Sequence, residues 1–377
     1  MKISVLLRSL AVLGVGLVVT NTWAIDSAID RSISWSDGVV NAVAQPLIVT
    51  NSSPPAGGDR IADPADTSTS GGVDLSGVAR LFLDVDAAVG SGGLCSGSLI
   101  GGGDFLLTAA HCVTDEQGDL AVIDGIDGNT ATFETAVGTF QVEFSSDDVE
   151  VHPEYNGDVR DGFDVAVIAL GEVMPEDVAR YELNSSIVNE AALHLAAGFG
   201  RSGDGNTGAT LGAGLQRSGF NNFLTVGLPI GNITNQATQL TADFDSGLTE
   251  NDAFGLFDEA LFGQSLNDAI NNGLGLGEDE VGIAPGDSGG PTFIQGPAGV
   301  VIAGVHSYGL RLELLGGATS DLDAELNSSF GEFYVDARVS NAELLSFIQA
   351  ATIPEPSTLA VMCLGALLSS ASPRRKS

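Results

Sequence analysis

The sequence predicts an all-β protein of short strands, with a body long enough for two small β-barrels around one cleft. Three observations lead there. Glycine is abundant, 50 of 377 residues, while lysine occurs only as Lys2 and Lys376, so there is little material for long amphipathic helices. The apolar segments are short and separated by Gly, Asp and Asn, the residues that turn a chain between strands. Between two signal-like ends lies a body of about 290 residues, enough to bury two such cores.

The elements follow in chain order. Residues 1–24 carry Lys2 and Arg8, an apolar stretch from Leu10 to Val19, then Thr22-Trp23-Ala24. A basic start, a short apolar core and a small residue before the cut describe a secretory signal peptide, removed by signal peptidase after Ala24. Residues 25–60 are polar and read as a flexible leader or pro-segment. The body spans residues 61–352, with barrel one at about 61–180 and barrel two at about 181–352. Strands are expected near 78–85, 96–100, 104–109, 120–123, 131–136, 138–144 and 164–170. The last of these alternates too little to be half exposed and reads as a buried strand. Residues 171–195 carry the chain across to the second barrel. Thr249–Ile270 has helix character, and Leu344, Leu345, Phe347 and Ile348 fit one face of a closing helix. Residues 353–377 form a tail: Pro354-Glu355-Pro356, an apolar run from Leu359 to Leu368, then Arg374-Arg375-Lys376. That run is well short of the roughly 20 residues a spanning helix needs. Its three-part order resembles the PEP-CTERM sorting signal of exported bacterial proteins. The resemblance implies processing by an exosortase-like enzyme and transient membrane association through the tail.

Composition agrees with export from a bacterial cell, to the cell surface or the medium. The formal charge is −35, from 14 basic and 49 acidic residues. Such a surface keeps a protein soluble and disfavours nucleic acid as a partner. No phosphate loop or dinucleotide fingerprint occurs, and no cofactor is expected.

Two motifs carry chemistry. Residues 285–291 read Pro-Gly-Asp-Ser-Gly-Gly-Pro and residues 108–112 read Thr-Ala-Ala-His-Cys. A serine hydroxyl is a weak nucleophile unless a base takes its proton; Ser288 supplies the hydroxyl and His111 the base. The glycines let the backbone turn so that two N–H groups can point at one developing oxyanion. Asp164 opens the apolar run 164–170 and is the preferred carboxylate to orient His111, with Asp161 as the competitor.

In this order, His then Asp then Ser, the motifs resemble the chymotrypsin/trypsin family of serine endopeptidases. The resemblance implies two six-stranded Greek-key β-barrels with a C-terminal helix. It implies hydrolysis of peptide bonds in a peptide or protein substrate through an acyl-enzyme. Catalytic roles fall on His111, Asp164 and Ser288, and the oxyanion hole on the N–H groups of Gly286 and Ser288. It also pairs Cys95 with Cys112, a bridge worth roughly 3 kcal/mol in the chain-entropy model. Ala197-Gly-Phe-Gly resembles the family's Gly-Trp-Gly, with Phe199 for Trp, and 334–340 resembles its last strand.

Substrate binding is implied for Gly282, Ser307, Tyr308 and Gly309. Gly282 falls at the pocket floor with no charge and Ile283 beside it, which favours a small or medium apolar side chain. Asp279 and Glu280 stay open as pocket carboxylates, because Ala284 replaces the cysteine that braces this loop in the family. Tyr308 would wall the pocket, and the strand around Ser307–Gly309 would pair with substrate backbone. Arg60-Ile61 is the candidate activation site for an activating protease, the new amino group pairing with Asp287. Here Ile61-Ala-Asp-Pro departs from the usual Ile-Val-Gly-Gly.

The remaining polar residues read as structural. His152, His194 and His306 lack metal-ligand spacing. Asp204, Asn206, Asp243 and Asp245 read as solvated turn residues rather than a calcium site, so no metal is expected. The competing class is a non-catalytic binding protein of the cell surface or extracellular matrix on the same fold.

Overall fold

The computed structural model describes residues 33–36, 40–45, 62–63, 66–86, 91–124, 128–188, 192–223, 227–230, 233–262, 274–276 and 280–353. The expected signal peptide, Arg60, Ile61, Asp279 and the tail beyond residue 353 lie outside them. Two strands come first, β1 (Ile33–Ser36) and β2 (Val40–Gln45). Then β3 (Val78–Asp86), β4 (Ser91–Ile100), β5 (Phe105–Thr108), β6 (Asn129–Thr135), β7 (Gly138–Phe144), β8 (Val149–Val151) and β9 (Ala166–Ala169) form one antiparallel sheet. Its order is β7-β6-β3-β4-β5-β9-β8.

The second half holds β10 (Glu182–Leu183), β11 (Leu193–Gly198), β12 (Ser202–Asp204), β13 (Gly208–Leu211), β14 (Arg217–Asn222) and β15 (Gln239–Phe244). Helix α1 (Ala253–Phe262) follows, then β16 (Pro291–Gly296), β17 (Gly299–Leu314), β18 (Glu332–Arg338) and helix α2 (Ala342–Ala351). Its sheet runs β1-β2-β17-β16-β11-β14, with β18 joining β17 to β15; β12 and β13 pair separately. Two curled, mainly antiparallel sheets with few helices make the double β-barrel expected, closed by α2. Among the described residues no helix is long and apolar enough to cross a membrane.

Local sequence explains these elements. Along β6 the buried positions include Asn129, Ala131, Phe133 and Thr135, the period of two that a half-buried strand requires. Helix α2 starts where Asn341 Oδ1 accepts from the N–H groups of Glu343 and Leu344, at 2.9 and 3.3 Å. Such a cap contributes about 1 kcal/mol. Leu344 and Ile348, one turn apart, then bury fully.

One core runs through both barrels, from Leu81, Leu106 and Phe133 to Phe199, Phe293 and Val305. The two halves therefore share a packed wall, which fixes the side chains on either side of it.

Two expectations are corrected and one is narrowed. Residues 120–123 form no strand; Leu120 makes one isolated bridge to Thr114. The helix in Thr249–Ile270 is Ala253–Phe262 in the described part. Residues 33–36 and 40–45 of the leader are not a free linker: β2 pairs antiparallel with β17, Gly309 opposite Gln45 through Leu314 opposite Val40. Val40 and Ala42 are buried beside Tyr308, Leu310 and Leu312. A leader that reads as polar supplies, at Val40 and Ala42, the alternate apolar contacts a strand packed on one face needs.

Candidate active site

Strand register brings the first two residues together. In the β5–β9 pair, Thr108 lies opposite Ala166. Two residues past the end of β5 stands Ala110, and two before the start of β9 stands Asp164, so the carboxylate reaches the next residue, His111. Asp164 Oδ1 accepts from the His111 backbone N–H at 2.8 Å, and Oδ2 lies 2.7 Å from His111 Nδ1. Ser307 Oγ donates a third bond to the same carboxylate. Burial alone would raise the Asp164 pKa; the His111 charge and the hydrogen bonds from His111 and Ser307 outweigh it and hold the carboxyl below its ordinary value. An ionised, fully satisfied carboxylate fixes which imidazole nitrogen carries the proton and leaves Nε2 for chemistry. Asp161 is elsewhere: its oxygens accept from Thr234 Oγ1 and Asn156 Nδ2.

The residue before Asp164 is strained. Phe163 has φ +60°, a conformation a bulky side chain rarely adopts. Its ring stacks on His152 at 4.9 Å, and His152 in turn meets Phe347 of α2 at 4.8 Å. Packing from the closing helix thus holds the turn that aims Asp164.

Ser288 arrives from the other barrel. Its carbonyl oxygen accepts from Ser96 N at 2.8 Å. Cys95 and Cys112 form a disulfide, and the Cys112 sulfur lies 3.6 Å from Ser288 O and 4.0 Å from His111 Nε2. The bridge therefore touches both the Ser288 backbone and the His111 ring. No hydrogen bond joins Ser288 Oγ to His111 Nε2 among the described residues. Catalytic contacts of this kind often tighten only when substrate binds.

The loop around Ser288 leaves two donors over. The N–H groups of Asp287, Gly289 and Gly290 go to the carbonyls of Ala284, His306 and Asp287. Those of Gly286 and Ser288 have no protein acceptor among the described residues. Gly286 has φ +102°, which only glycine takes without strain. Its carbonyl is held by Ser96 Oγ at 3.0 Å. Ser96 also accepts from the Phe199 N–H, so one buried serine ties both barrels to the loop. Nothing in the sequence reading singled it out, although it adjoins Cys95.

Asp287 faces inward. Oδ1 accepts from Gly200 N at 2.6 Å, and a Cβ at Gly198 or Gly200 would collide with the carboxylate. Burial pushes its carboxyl up to about 7, against the Gly200 hydrogen bond and the charges of His306 and Arg217. Ala62, one residue past Ile61, is buried and donates to Gln216 O at 3.0 Å. The chain beyond Arg60-Ile61 is thus anchored at Gln216, the neighbour of Arg217.

The specificity residues distribute differently from expectation. Gly282 lines a small cavity with Gly198, Arg201, Arg217, Gly219 and Asp287, and Ile283 packs in a core with Phe223, Ala242 and Tyr334 instead of narrowing a pocket. Glu280 is buried with its oxygens accepting from Asp245 and Leu276, so it does not serve the pocket. Tyr308, expected as a pocket wall, is fully buried against Phe254, Phe257 and Phe333, its hydroxyl donating to Gln239. Aromatic bulk won over the motif position there: α1 supplies an apolar surface for it. Gly309 pairs with Gln45 of β2, so the leader covers the edge from there onward. Ser307 stands at a register shift in β17 and serves Asp164.

Of the other histidines, His194 lies 2.5 Å from the Tyr334 hydroxyl and is pushed down to about 3 by burial. His306 pairs with Asp336 at 2.9 Å. Asp204 and Asn206 form a turn, as expected. Asp243 and Asp245 do not: both are fully buried, which corrects their reading as solvated residues.

The family model described as Trypsin matches residues 83–216, a span that holds Cys95, His111, Cys112 and Asp164 and stops before Ser288. No curated protein matches the chain. Over residues 83–216 the chain is similar to the trypsin family, and its two curled sheets carry the trypsin-like double-barrel architecture.

Proposed function

We propose that the protein is an exported serine endopeptidase that cleaves peptide bonds through Ser288, His111 and Asp164. The observation that carries the reading is the buried His111–Asp164 pair, 2.7 Å apart, at a cleft where a glycine-rich serine loop leaves the Gly286 and Ser288 N–H groups over. His111 Nε2 takes the proton of Ser288 Oγ as the hydroxyl attacks the scissile carbonyl. The two N–H groups stabilise the oxyanion; losing one such donor typically costs 10²–10³ in rate. His111 then protonates the leaving amine, and a water, deprotonated by His111, hydrolyses the acyl-enzyme. Asp164 stays ionised throughout and steadies the imidazolium.

The finer points extend this reading. The preference for a small or medium apolar side chain rests on Gly282 alone, since Arg201, Arg217 and Asp287 line the same cavity. Cleavage at Arg60-Ile61 would free an amino group one residue from the anchored Ala62, and its proposed partner is Asp287. Residues 1–24 serve as the signal peptide and 353–377 as the PEP-CTERM-like tail, placing the enzyme at the surface of a bacterial cell or outside it. Casein hydrolysis by purified protein and its Ser288→Ala variant tests the proposal. Activity confined to the unsubstituted protein is expected. Equal hydrolysis by both rejects it, and no hydrolysis by either favours the binding-protein reading.

A further inference from the structure

Four carboxylates meet in the second barrel. Asp243 ends β15, Asp245 follows it, Asp252 precedes α1, and Glu280 opens the segment leading to Ser288. Asp243, Asp245 and Glu280 are fully buried, and Asp252 nearly so. Asp243, Asp245 and Asp252 each offer an oxygen, and these three oxygens lie within 4.8 Å of one another. The charged groups acting on Asp245 are Asp243, Glu280 and Asp252, all acidic. Taking several like charges out of water is costly unless something of opposite charge joins them.

The start of α1 supplies part of that compensation. Ala253 N donates to Asp245 Oδ1, Phe254 N to Asp243 Oδ2 and Gly255 N to Asp252 Oδ1, at 3.2, 3.2 and 2.6 Å. A helix N-terminus offers only about half a positive charge, against several carboxylates. One oxygen is also left over: Asp245 Oδ2 is buried and has no hydrogen-bond partner. Oδ1 is taken by the Ala253 N–H, and Oδ2 is the Asp245 oxygen left for a ligand. Buried polar atoms are nearly always paired, so an orphan among converging carboxylates points to a ligand.

We propose that Asp243, Asp245 and Asp252 bind one calcium ion. Hard, oxygen-only donors on an irregular loop suit calcium, which accepts six to eight oxygens in flexible geometry; magnesium demands a tighter octahedron and keeps its water. Glu280 positions the site without joining it, since its oxygens accept from Asp245 N at 2.6 Å and Leu276 N at 3.4 Å. The ion then ties three stretches together: the end of β15, the start of α1, and through Glu280 the strand of chain entering the Ser288 loop. Binding does not depend on the peptidase reading.

The test uses the full chain carrying Ser288→Ala, so that self-cleavage cannot alter the result. After EDTA treatment, equilibrium dialysis against calcium chloride is expected to give one ion per chain, and calcium at about a hundredfold over Kd to raise Tm by roughly 5–10 °C. Asp245→Asn and Asp252→Asn each abolish both effects, while Asp204→Asn, in the solvated turn, changes neither. Absence of bound calcium at about 1 mM free ion, or undiminished binding in both Asp245→Asn and Asp252→Asn, overturns the proposal. Equal affinity for magnesium overturns the choice of ion.

Discussion

The molecule contains two buried histidine–aspartate pairs of nearly the same make. His111 Nδ1 lies 2.7 Å from Asp164, whose carboxylate also accepts from the hydroxyl of Ser307. His306 Nδ1 lies 2.9 Å from Asp336, whose carboxylate also accepts from the hydroxyl of Thr292. Their surroundings separate them. His111 sits on a turn at the cleft, its Nε2 beside the disulfide that touches Ser288. His306 sits within β17, its N–H donating to Gly290 O and its carbonyl accepting from Gly289 N. A Cβ on Gly290 would lie 3.0 Å from the His306 ring. One pair faces the place where a substrate bond would lie; the other braces the loop from behind. An imidazole steadied by a carboxylate is therefore not a catalytic site until its second nitrogen meets a nucleophile.

Substitutions can break or sharpen this comparison. The largest effects belong to the cleft: Ser288→Ala and His111→Ala each lower kcat by about 10⁶, as parts of one unit. Asp164→Asn lowers kcat by about 10⁴ by allowing the wrong tautomer. Casein or peptide kinetics read both.

Asp287, which feels the charge of His306, comes next. Its folded pKa of about 7 lies above the ordinary 3.8, so the folded state holds a proton that the unfolded state has released. Its contribution to stability is full below about pH 4 and is lost as pH rises to about 7, at most about 4 kcal/mol. Urea unfolding at about pH 4.5 and 7.5 is expected to show this loss in the unsubstituted protein and not in Asp287→Asn. His306→Gln costs roughly 1–3 kcal/mol by leaving Asp336 short of a partner, with kcat falling no more than about tenfold. If His306→Gln removes activity as completely as His111→Ala, the distinction between the pairs is wrong. The smallest effect is Asn341→Ala, which costs about 1 kcal/mol through the α2 cap and leaves kcat unchanged.

The sequence was most legible where chemistry is local. His111 and Ser288 sit in motifs whose residue types state their purpose, and Asp164 was separable from Asp161 because it abuts an apolar run. The β6–β7 hairpin was readable too, since 138–144 matches β7. Long-range partners were not readable. Nothing near Ser96 or Ser307 says that one holds the Ser288 loop and the other Asp164, because both bonds join residues over 100 positions apart. The strain at Phe163 is invisible for a similar reason: it depends on His152 and α2. Tyr308 misled because a motif position does not reveal what packs on it. The carboxylates of the second barrel were misread because Asp-Phe-Asp-Ser-Gly looks like a turn, and burial is a tertiary property.

The central claim is that His111, steadied by Asp164, activates Ser288 and no other hydroxyl. Labelling the purified protein with a fluorophosphonate and mapping the adduct by mass spectrometry tests it directly. A single adduct on Ser288, formed far more slowly in Asp164→Asn, is the expected result. An unlabelled protein, or an adduct on a different serine, contradicts the account.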